Sequence, residues 1–124
     1  MKVEVSLGEL VDKLTILAIK REKINDPEKL DNIRKEYEQL RETMASAGIT
    51  EASPEYQRLY SVNMQLWEIE DRIRAKEAEQ TFDDDFISLA RSVYFRNDER
   101  AAVKRQINLK FGSDLVEEKQ YTSY

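Results

Sequence analysis

Residues 86–111 read FISLARSVYFRNDERAAVKRQINLKF, the longest unbroken helical pattern in the chain. Phe86, Leu89, Ala90, Val93, Asn97, Ala101, Lys104, Ile107, Asn108 and Phe111 return mostly every three or four residues, which places them on one side of a helix. Both ends of that face are apolar. Its middle is polar, with Asn97 flanked by Arg100 and Lys104. The reading that follows is all-α, with three further helices arranged around this one.

Working backwards, Thr81 and Asp84 have capping-box spacing, and Asp83 to Asp85 suit a helix N-terminus. Before them, Ser53-Pro54-Glu55 starts a helix that runs to about Glu79. That helix carries two stripes. Leu59, Val62, Leu66, Ile69 and Ile73 form an ordinary core seam. Tyr56, Tyr60, Asn63, Trp67, Glu70 and Arg74 form an aromatic and polar one. Further upstream, Asn25-Asp26-Pro27 is a stop-and-restart signal, and Ala47-Gly48 is a helix end. The helix between them has a narrow coiled-coil-like seam of Leu30, Ile33, Tyr37, Leu40 and Met44. Ser6 and Glu9 form a capping box for a first helix that is apolar nearly all round, interrupted by Lys13, Thr15 and Lys20. The expected fold is a four-helix antiparallel bundle of two helical hairpins, at about 7–24, 27–46, 54–79 and 84–111. Leu14 should fall near Tyr37, and Leu10 near Leu40. The tail, with Leu115, Val116 and Tyr121 as anchors, should dock back on the bundle.

Composition supports one helical domain of 124 residues, with 36% charged and 40% hydrophobic residues, three Gly and two Pro. The chain has no Cys and no His. That removes disulfides, thiolate nucleophiles, Cys/His zinc sites and imidazole acid–base chemistry, and no cofactor or metal is expected. MKVEVSLGEL has no apolar signal core, and no stretch approaches the roughly 18 apolar residues of a membrane span. A cytoplasmic protein is therefore expected. Net charge is −5. Residues 49–85 carry ten acids and four bases, and residues 86–111 carry six bases and two acids. Adjacent opposite balances suggest two helices that neutralise each other. The overall acidity argues against a nucleic-acid partner.

A short loop makes the third and fourth helices antiparallel. That register sets Glu70 by Tyr94, Trp67 by Asn97, Asn63 by Ala101 and Arg100, and Tyr60 by Lys104, with Arg91 a turn from Glu70 and Asp71. The result is one polar layer of Asn63, Trp67, Glu70, Asp71, Arg91, Tyr94, Asn97, Arg100 and Lys104. Its first reading is a satisfied hydrogen-bond and ion-pair network that fixes register between long helices. Its second is a pocket that binds, or acts as an enzyme on, an anionic small molecule (a sugar phosphate, nucleotide sugar or carboxylate) with Arg91, Arg100 and Lys104 as cationic lining. Enzyme signatures do not support a catalyst. No Gly-rich phosphate loop or nucleophile elbow is present. The Glu68/Asp71 spacing matches only half of the magnesium site of helical nucleotide pyrophosphatases, and similarity to helical chorismate mutases is of residue types alone.

VDKLTILAIKREKI, LWEIEDRIRAKE, FISLARSVYFRNDERAAVKRQIN and GSDLVEEKQY resemble, in this order, a small bacterial and phage family known only as a domain of unknown function. The resemblance implies a stand-alone helical domain. It also implies an association with glycosyltransferase and cell-surface polysaccharide genes, and so a protein partner in surface polysaccharide synthesis. No residue role comes with it. The leading expectation is a non-enzymatic accessory or interaction module. The overhang of the longer helical pair makes a homodimer the expected assembly.

Overall fold

A computed structural model describes residues 3–112. Within them lie four helices: α1 (Leu7–Lys23), α2 (Pro27–Ser46), α3 (Pro54–Ala78) and α4 (Asp84–Lys110). The described residues contain no strand. The all-α bundle and the helix limits agree with the periodicity to within a residue. The tail anchors Leu115, Val116 and Tyr121 lie outside the described residues.

The helix starts follow from local chemistry, with three departures from expectation. At α1 the Ser6 hydroxyl accepts from the Glu9 N–H at 3.1 Å. The reciprocal half of the capping box does not form, because the Glu9 carboxylate takes Lys104 Nζ at 2.5 Å instead. At α2, Asp26 accepts from the N–H groups of Glu28 and Lys29, and Pro27 occupies the first turn. At α3, Ser53 makes no cap bond to the helix. Its hydroxyl accepts from the Thr50 N–H at 2.9 Å and so closes the preceding turn. At α4 the cap is Asp83, which accepts from the Phe86 N–H at 2.9 Å. Thr81 instead donates to the Glu79 carbonyl. Asp83 wins because its carboxylate also holds Lys76 Nζ at 2.9 Å, across the turn from α3. Gly48 takes φ +86° just beyond α2, where a side chain would be strained.

The hub is α1, not α4. The α1 backbone packs against all three other helices, whereas the α2 backbone approaches α1 alone and α4 meets only α1 and α3. This explains why α1 is apolar nearly all round: Leu10, Val11, Leu14, Leu17, Ala18 and Ile19 are all buried. Of the expected α2 seam, Ile33, Tyr37 and Met44 are buried and Leu40 packs at the edge of the same core as Leu10 and Leu14, while Leu30 is only half-buried and outside that core. A second tie crosses from α2 to α3. Tyr37 and Tyr56 join hydroxyls at 2.9 Å, and Tyr37 also donates to Glu51.

The docking of α1 on α4 depends on one glycine. A Cβ on Gly8 would lie 2.5 Å from the Lys104 carbonyl oxygen. The bare Cα lets the helices close, and the Gly8 N–H then donates to Asn108 Oδ1 at 2.7 Å in the interior. Further along α1, Asp12 and Thr15 meet Asn63 of α3, and Glu22 accepts from the Tyr60 hydroxyl. Contacts along α1 thus step from α4 to α3. The far half of the α3–α4 hairpin projects beyond this crossing. There Ile69, Ile73, Val93 and Phe86 are only half-buried, and Phe82 and Ile87 are each 53% exposed.

Candidate functional site

The polar layer expected between α3 and α4 exists only in part, and it is organised by a residue of α1. Asp12 is 3% exposed. Its carboxylate accepts from Arg100 Nε at 2.9 Å and Arg100 Nη2 at 2.5 Å, and from Asn63 Nδ2 at 2.9 Å. Asn63 Nδ2 also reaches the Thr15 hydroxyl at 2.8 Å, and that hydroxyl donates to the Asp12 carbonyl. A fork-on-fork guanidinium–carboxylate pair with an amide on the remaining lone pairs satisfies a buried carboxylate well. These bonds join three helices at one point.

Beside this knot lies a cavity of about 500 Å³ between α1, α3 and α4. That volume is within the range of small-ligand pockets. Ile16, Ile19, Leu66, Trp67 and Val93 give it an apolar floor. Asn63, Glu70, Asp71, Arg74, Asn97 and Arg100 form the polar part of its wall. The wall therefore carries two acids and two bases. Both bases have acidic partners: Arg100 holds the buried Asp12, and Arg74 Nε meets Glu70 at 2.8 Å in an exposed pair.

The structure thus brings together Asn63, Trp67, Glu70, Asp71, Asn97 and Arg100 around one cavity. It places the other three elsewhere. Lys104 is 6% exposed, pairs with Glu9 and sits under α1. Its expected neighbour Tyr60 bonds Glu22 instead, and burial and that contact push the Tyr60 phenol up to about 12. Arg91 is exposed and its Nε donates to the Tyr94 hydroxyl at 3.4 Å. Tyr94 is 42% exposed. The pairing of α3 with α4 is otherwise as expected: Arg58 donates to Gln106 at 2.6 Å, and Glu55 holds Lys110 at 2.5 Å. α1 draws away Lys104 and Tyr60 through Glu9 and Glu22, whereas Arg91 and Tyr94 lie on the exposed face of α4.

Sequence reasoning missed Asp12 of the knot and Ile16, Ile19, Leu66, Arg74 and Val93 of the cavity lining. A signal existed in Asp12, an acid set between Val11 and Leu14 of a helix apolar on every side. Such a carboxylate has to find cations or donors within the core. Among the described residues no cluster of acids fit to hold a metal ion occurs. None of the described helices is long and apolar enough to cross a membrane.

A family model covers all of residues 1–124. The chain belongs to the family of unknown function DUF6165. No curated protein matches it. No solved structure matches it. Membership in a family of unknown function leaves the role of the cavity to its chemistry.

Proposed function

We propose that the chain is a helical protein-interaction module whose α1/α3/α4 cavity receives an apolar side chain from a partner's segment. The carrying observation is the pairing of the cavity's cations. An anionic ligand would have to share Arg100 with the buried Asp12 carboxylate, with Glu70 and Asp71 on the same wall opposing it. An apolar anchor gains from Trp67, Leu66 and Ile16 without disturbing that pair. The mixed rim of Glu70, Asp71 and Arg74 suits the polar flank of a peptide. The resemblance to a family near polysaccharide genes points to the machinery of surface polysaccharide synthesis as the source of that partner.

The test is a photo-crosslinker (benzoylphenylalanine) placed at Asp71 or at Arg74 on the rim and irradiated in the native host. A discrete protein adduct at both positions, lost when Leu66→Arg fills the floor, is the expected result. Absence of any adduct would overturn the reading. So would a rise in Tm with sugar phosphates, nucleotide sugars or dicarboxylates, which would give the cavity to an anion.

A further inference from the structure

The outward face of α4 carries a charge pattern that inverts in sign when it is read backwards about its centre. On one side of the helix Leu89, Val103, Lys104 and Ile107 are buried. On the opposite side Asp84, Ile87, Arg91, Asp98, Ala102 and Arg105 are exposed at steps of three, four and seven residues, with Tyr94 and Phe95 at the centre. That spacing keeps the set on one stripe. It spans roughly 32 Å at 1.5 Å per residue. Ile87, Tyr94 and Phe95 are 53%, 42% and 37% exposed, a large apolar share for a helix's solvent face.

From these observations we infer that this stripe is the seam of a two-fold, antiparallel homodimer. A two-fold axis between Tyr94 and Phe95 sets Arg91 against Asp98 of the second copy and Asp84 against its Arg105. The same axis sets Ile87 against Ala102, and the two aromatics against each other. Each pairing occurs twice, as an isologous contact requires. Neighbouring registers fail on charge. An axis through Arg91 stacks that residue on itself and opposes Asp84 to Asp98. An axis through Asp98 stacks the acids and opposes Arg91 to Arg105. A parallel in-register pairing sets every charge on its own kind. Opposite charges with central aromatics are what selects partner and register on a helix surface. The cavity wall from α4 (Val93, Asn97 and Arg100) faces the other way. Loss of this seam therefore leaves the groove reading intact.

The test is sedimentation equilibrium of the full chain at low and high salt, with Arg91→Asp, Asp98→Arg and the double exchange Arg91→Asp/Asp98→Arg. Wild type should dimerise, more weakly in high salt. Either single reversal puts like charges in contact twice and should raise the dimer Kd more than about tenfold. The double exchange restores opposite signs in every pair and should recover the dimer. All four proteins should keep their helical circular dichroism, because the sites are exposed. A wild type that is monomeric at every concentration in low salt would overturn the seam. Single variants that still dimerise like wild type, or a double exchange that stays monomeric, would do the same.

Discussion

Tyr37, Tyr56 and Tyr60 show how single side chains tune this fold. Burial raises all three phenols above their ordinary value, with hydrogen bonds to Tyr56 and Glu51 adding to the rise at Tyr37 and a contact with Glu22 adding to it at Tyr60. Each therefore holds its proton more tightly folded than unfolded. The stability this contributes is complete below the ordinary tyrosine value, about 10, and is lost as pH rises from there through the folded values, about 12 for Tyr60. The chain should unfold on alkaline titration with tyrosinate absorbance appearing together with the loss of helical circular dichroism. In Tyr60→Phe the onset should move upward in pH. Tyrosinate that titrates freely near the ordinary value in the folded protein would contradict the burial argument. These tyrosines were legible in the sequence only as stripes. Their partners Glu51 and Glu22 lie in a turn and at the exposed end of α1, where no periodicity points to them.

At the scale of elements, the fold rests on how closely α1 can approach α4. The sequence shows the helices themselves because capping residues, prolines and apolar spacing are local features. Ser6, Asp26, Pro27 and Pro54 each mark a boundary within a residue of its place. What is not local is the choice among competing caps and the tilt of α1. Asp83 displaces Thr81 as cap because Lys76, a residue of α3, reaches it. Gly8 has no turn to make, so its presence in a first turn signals a close approach but not the element approached. Gly8→Ala should destabilise the fold by about 1–3 kcal/mol, the usual cost of overpacking, because the obstructing atom is backbone and cannot rotate away. Urea unfolding measures this directly, and an unchanged midpoint would mean that α1 is not seated where Lys104 places it.

For the whole molecule, the polar middle of α4 has two separate destinations. Inward, Arg100 joins Asp12 and Asn63 and fixes α1 across the hairpin. Outward, Arg91 and Asp98 lie on the proposed seam. The sequence places Asn63, Trp67, Asn97 and Arg100 at one level because the α3–α4 turn is short and the register follows from it. It does not reveal that α1 supplies the counter-charge, since the partners lie 88 residues apart. On the proposed reading Arg100 serves the architecture, and the cavity beside it takes its partner on the apolar floor. The most direct measurement is the urea midpoint of Arg100→Met, which keeps the stem's bulk and removes the fork. The predicted result is a loss of about 2–3 kcal/mol, from two charge-assisted hydrogen bonds withdrawn from a buried carboxylate, with the urea m-value unchanged. Stability equal to or above wild type would contradict the claim and return Arg100 to the role of a ligand-binding cation.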